Sequence, residues 1–140
     1  SVTIAKLAAD VTVGKLGVLE LDACVYAATD SSSDVTAGGF YFAPADYAIS
    51  GKTTVLSVTL WGRVASGSLT GTVTVYDVTS GTPSSVGTAS ITSTTGALST
   101  ITITLPGSAK AYQIAIKVSG GSTAADIVLV TGAVRRITWS

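Results

Sequence analysis

The chain has 140 residues, no His, and eight Lys plus Arg balanced by eight Asp plus Glu. That length suits one domain with a two-layer core, and no apolar run approaches the roughly 20 residues of a bilayer-spanning helix. No basic stripe exists to displace counterions from a phosphate backbone, so neither nucleic acid nor membrane is expected as a partner.

The first 22 residues are weakly patterned. Val11-Thr12-Val13 and Val18-Leu19-Glu20-Leu21 alternate as short strands do, interrupted by Gly14 and Gly17. They read as an extended N-terminal arm, residues 1–22, ahead of one domain over 23–140. The opening Ser1-Val2-Thr3-Ile4-Ala5-Lys6 lacks a basic segment followed by an apolar one, so no secretory signal is expected. Cys24, in the apolar stretch Ala23–Ala27 and without a basic neighbour, reads as a small buried core residue rather than a reactive thiol. As the one Cys it can form no internal disulfide.

Asp30-Ser31-Ser32-Ser33-Asp34 and Ala37-Gly38-Gly39 read as a polar, flexible loop before the aromatic cluster Phe40-Tyr41-Phe42. From Thr53 the period-two signal is strong. Leu56, Val58, Leu60 and Val64 share one face, and Ser57, Thr59, Trp61 and Arg63 the other. Gly71 to Thr79 repeats the pattern with Val73 and Val75 inward, and Ser80-Gly81-Thr82-Pro83 is a turn. Val86 to Thr92 is a weaker strand. Leu98 to Leu105 alternates cleanly, Thr outward and aliphatic inward, and Pro106-Gly107 closes it. Tyr112, Ile114, Ile116 and Val118 form one face of the next strand, with Gln113 and Lys117 on the other. Asp126 to Val130 and Ala133 to Trp139 complete the set, with Trp139 a packing anchor. Arg135 and Arg136, adjacent in a strand, must point to opposite faces.

About eight strands with regular turn signals argue for an all-β antiparallel β-sandwich, a jelly roll of two sheets packed face to face. An immunoglobulin-like sandwich is the runner-up, without a Cys…Trp…Cys spacing to favour it.

The chemistry of catalysis is sparse. Without His the commonest general base and transition-metal ligand is missing, so a serine triad or zinc site of ordinary construction is excluded. Gly51-Lys52-Thr53 ends like a phosphate loop but has no Gly five residues earlier. The carboxylates of Glu20, Asp22, Asp30, Asp34, Asp46, Asp77 and Asp126 are scattered, unlike the pair a glycosidase needs. Asp30 and Asp34 offer oxygens of the kind Ca²⁺ takes, against the plainer reading of solvated loop acids and turn caps. Asp77 is expected to bond the backbone of the turn that follows it. No catalytic residue, cofactor or metal is expected. Trp61, Tyr41 and Tyr47 are the candidate contact residues, able to fill a subunit interface or to stack on a sugar ring.

Charged residues make up 11% of the chain, well under the roughly 25% of ordinary soluble domains. Ser, Thr and Gly replace them, giving a surface that can be buried against another subunit at small desolvation cost.

From Leu56 to Thr138 the chain resembles phage virion β-sandwich proteins, namely head decoration (cement) proteins and related head- or tail-fibre domains. The segments that carry the likeness are Val58-Thr59-Leu60-Trp61-Gly62-Arg63, Gly71-Thr72-Val73-Thr74-Val75-Tyr76-Asp77-Val78-Thr79, Leu105-Pro106-Gly107-Ser108-Ala109-Lys110-Ala111-Tyr112 and Arg136-Ile137-Thr138-Trp139. The resemblance implies a jelly-roll homotrimer in a virion, bound to the major capsid protein or other virion proteins, and no catalytic residues. A receptor-binding or fibre-tip domain recognising a glycan, or a carbohydrate-binding module, is the alternative.

Overall fold

Strands form where β-branched residues and threonines alternate, because such side chains pack well on a pleated surface. The computed structural model describes residues 17–22, 25–121 and 123–140. The expectations for Val11-Thr12-Val13, Cys24 and most of the arm lie outside them. Nine strands run in chain order: β1 (Val18–Asp22), β2 (Tyr26–Thr29), β3 (Val35–Phe42), β4 (Thr54–Val64), β5 (Thr70–Asp77), β6 (Ser84–Ile91), β7 (Ala97–Ile103), β8 (Lys110–Ser119) and β9 (Val128–Trp139). A 3-10 turn, Pro44–Asp46, follows β3.

The strands form two sheets. Sheet A has the order β1-β9-β4-β7, with β2 also pairing β9, and sheet B has the order β3-β8-β5-β6. Every pairing is antiparallel. Both β1 and β2 lie along one edge of β9, Val18 opposite Thr138 and Thr29 opposite Val128. Counting β1 and β2 as one interrupted strand, the pairings nest: first with last, β3 with β8, β4 with β7, β5 with β6. One long hairpin has in effect been rolled up, which is the jelly roll expected from the strand count. Val18–Asp22, at the end of the 1–22 arm, is thus paired within sheet A.

The core lies between the sheets. Leu56, Val58, Leu60 and Val64 of β4 meet Val73 and Val75 of β5, Ile114 and Ile116 of β8, and Val128, Val130 and Ile137 of β9 in one buried cluster. Each of these side chains contributes about 1.5–3 kcal/mol by leaving water. Trp139 anchors the last strand, 7% exposed, its indole Nε1 donating to the Tyr47 carbonyl at 2.8 Å.

Three local expectations change. Ala37-Gly38-Gly39 is not loop but the middle of β3, with a bulge between Thr36 and Gly38. A side chain at Gly39 would sit 2.6 Å from the Tyr112 carbonyl oxygen, so close strand approach, not flexibility, calls for glycine there. The segments 128–130 and 133–139 merge into β9, which leaves out Asp126 and Ile127 and whose register against β4 shifts between Thr59 and Trp61. Leu98 faces outward with Thr100 and Thr102, 71% exposed, while Ile101 and Ile103 face the core. Period two fixes this, since Leu98 has the parity of the threonines.

Candidate interaction surfaces

Residues paired across an antiparallel sheet share a face, so the register gives the outer surface of sheet A row by row. Tyr26, Thr131, Trp61 and Leu98 form one row across four strands, about 14 Å long. Val18, Thr138 and Val55 form a row near the other end. Between them lie Glu20, Arg136, Ser57 and Thr102, with Thr59 beside Thr100. The Arg136 guanidinium donates twice to Glu20 Oε1, from Nε at 2.9 Å and from Nη2 at 2.5 Å. The hydroxyls of Thr59 and Thr100 are bonded at 2.9 Å.

Seven large apolar side chains are exposed among the described residues, and Val18, Tyr26, Val55 and Leu98 of this one face are four of them. Trp61 lies between Tyr26 and Leu98, partly buried against Gly96. Gly96 holds φ +102°, and a Cβ there would fall 1.9 Å from Trp61 Cζ2. The indole therefore occupies the space a side chain would take. Four strand positions by twelve residues amount to a face on the order of 700 Å². That is comparable with the ~800 Å² each partner gives a standard protein interface.

Sheet B presents a different outer surface. Thr70, Thr72 and Thr74 of β5 lie beside Ala115, Lys117 and Ser119 of β8, and Gln113 lies between Gly39 and Tyr76. Here the Tyr76 hydroxyl donates to Asp34 Oδ2 at 2.5 Å and the Gln113 amide donates to Thr36 Oγ1. Tyr41, 63% exposed, stands one row beyond Gly39 on the same face.

The three aromatic candidates therefore occupy three places. Trp61 is on the outer face of sheet A and Tyr41 on that of sheet B. Tyr47 follows the 3-10 turn, stacked on Phe42 with ring centres 5.1 Å apart and planes 8° from parallel. The residues that composition and spacing did not single out are Tyr26 and Leu98. Tyr26 lies in the apolar stretch Ala23–Ala27, which carries no clear alternation, and the aliphatic side chain of Leu98 reads as a core residue.

Of the acids, Asp77 binds the turn as expected. Its Oδ1 accepts from the Thr79 backbone N–H at 2.9 Å, and Lys110 pairs with it at 3.0 Å. These bonds, Thr79 first and Lys110 after, lower its pKa to about 2. Asp30 and Asp34 line separate clefts, Asp30 with Ser32 and Thr123, Asp34 with Tyr76 and Gln113. Among the described residues no three His, Cys, Asp or Glu side chains gather as a metal site would require. A third cleft, apolar and about 350 Å³, is lined by Pro44, Ala48, Leu105 and Pro106 at the end where β8 begins.

No family model matches the sequence, and no curated protein matches it. Solved structures share its fold. A chain of the Bacillus endospore appendages, a novel family of disulfide-linked pili, matches with TM-score 0.50 at 15% identity over 88% of this chain and 89% of that one. The VP2 subviral particle of infectious bursal disease virus matches with TM-score 0.52 at 12% identity, over 86% of this chain and 32% of VP2. T=1 particles derived from the same virus give 0.54 at 14% identity, over 86% and 31%. This chain thus spans about a third of VP2 and nearly all of the appendage chain. At such identities the likeness is one of fold: a β-sandwich found in pilus and viral capsid structures.

Proposed function

We propose that this chain is a non-enzymatic structural subunit of a phage virion, a capsid decoration protein that stabilises the particle through contacts with its own copies and with the major capsid protein. The outer face of sheet A carries this reading. Exposed Val18, Tyr26, Val55 and Leu98 flank Trp61 on a surface where Glu20 and Arg136 already pair with each other and Arg63 adds one further charge. Covering such a face returns apolar area from water and strands few charges. The low charge of the chain fits the same role, as does the resemblance to virion β-sandwich proteins. The segments behind that resemblance fall in β4, in β5 with its following turn, in the β7–β8 connection and in β9. A homotrimer is the expected assembly and the virion the expected location.

Native mass at micromolar concentration, followed by co-sedimentation with phage particles, tests the reading. A trimer that sediments with particles supports it. A monomer that stays in the supernatant removes it.

A further inference from the structure

If sheet A is the face that assembles, the outer face of sheet B is left toward solvent, and it holds a cleft of about 350 Å³. Asp34, Thr36, Tyr76, Pro83, Gln113 and Ala115 line it. We propose that this cleft is a saccharide-binding site, taking a single pyranose ring through its vicinal hydroxyls.

The polar groups converge from four segments: the β2–β3 connection, β3, β5 and β8. Two cross-strand hydrogen bonds hold them, Tyr76 to Asp34 across 42 residues of sequence and Gln113 to Thr36 across 77. Such bonds fix the side chains before a ligand arrives, which reduces the ordering cost of binding. The set combines acceptors and donors in a small space: a carboxylate, an amide, a phenol and a hydroxyl. Adjacent hydroxyls on a sugar ring, each both donor and acceptor, match that mixture. The hydrogen bond from Tyr76 to the Asp34 carboxylate raises the phenol pKa above its ordinary value. The floor is small, with Ala115 beneath and no side chain at Gly39 beside Gln113. Tyr41 lies one row further on the same face, about 7 Å along the strand, where its exposed ring can flank a second sugar unit. A peptide is the poorer fit, because the cleft offers neither an apolar pocket nor a free run of backbone partners on its central strands.

The test is amide chemical-shift mapping of the full chain titrated with methyl α-mannoside, methyl β-glucoside, methyl β-galactoside and N-acetylglucosamine, with glycerol as the acyclic control. At least one pyranoside is expected to shift the amides of Thr36, Tyr76 and Gln113 with millimolar affinity, and glycerol is not. Tyr76→Phe is expected to weaken that binding roughly tenfold by removing one hydrogen-bonding group. Gln113→Ala is expected to abolish it, while Leu98→Ser, on the opposite sheet, leaves it unchanged. Absence of shifts from all four sugars overturns the site, as do equal shifts from glycerol or full binding by both cleft variants. The wild-type map stands even where a variant fails to fold. It is also independent of particle binding, so loss of the virion reading leaves this result intact.

Discussion

The guanidinium carbon of Arg135 lies 5.5 Å from the centre of the Phe40 ring, joining β9 of sheet A to β3 of sheet B. Arg135 is paired in register with Val58 and Leu21, so its side chain starts toward the core. It then reaches the facing sheet, where Nη1 donates to the Tyr41 carbonyl at 3.3 Å. Its neighbour Arg136 turns outward to Glu20. Alternation along one strand thus gives two adjacent arginines separate tasks, one between the sheets and one on the surface.

Arg135→Ala is expected to destabilise the fold by about 1–3 kcal/mol, from the lost cation–π contact, carbonyl hydrogen bond and stem packing. Urea unfolding is the check: the midpoint falls and the slope holds. Arg135→Lys recovers part of the loss, because an ammonium can sit over the ring but lacks the planar fork.

Gly96→Ala is expected to cost about 1–3 kcal/mol, since the new methyl meets the Trp61 indole and the backbone has positive φ. Intrinsic fluorescence separates the two causes. A changed emission in the Trp139→Phe background reports that Trp61 has been pushed into solvent; strain alone leaves it as it was.

Much of the core was legible in the sequence, and the reason is physical. Leu56, Val58, Leu60 and Val64 of β4 share one parity, as do Tyr112, Ile114, Ile116 and Val118 of β8, and both strands lie inside their sheets, so pattern and burial coincide. At the margins pattern and burial separate. Leu98 has an aliphatic side chain on the polar parity of an edge strand, and Gly38-Gly39 sits in an edge strand that looks like loop. That Arg135 and Arg136 diverge follows from spacing alone, but which one turns inward depends on the register with β4. The contact surfaces were less legible still. Thr36 and Gln113 meet across 77 residues, and no local signal links them. Trp61, Tyr41 and Tyr47 stood out as aromatic residues, yet chain position said nothing about which sheet each would face.

Tyr26→Ser with Leu98→Ser is expected to weaken self-association at least tenfold while moving the melting temperature little, because both side chains are exposed in the isolated chain. Sedimentation velocity across a concentration series reads the first effect and thermal unfolding the second. Unchanged association would assign the contact to another surface.

Asp77 makes stability pH-dependent at the acid end. Its folded pKa is lowered from 3.8 to about 2, so its contribution is complete above the unfolded value and is lost as pH falls through the folded one. Asp77→Asn is therefore expected to flatten the stability profile between about pH 4 and pH 2. Urea midpoints measured across that interval in both proteins give the comparison.

The position of β9 also sets a timetable. It lies between β1 and β4, and the Glu20–Arg136 bond from β1 to β9 joins residues 116 positions apart. On a ribosome, β1 and β2 emerge first and have no hydrogen-bonding partner until β9 follows. Sheet A must therefore close late, after a long wait with an open edge beside β4. Stalled or truncated chains lacking β9 would expose two unpaired edges at once, the form in which a β protein recruits its neighbours indiscriminately.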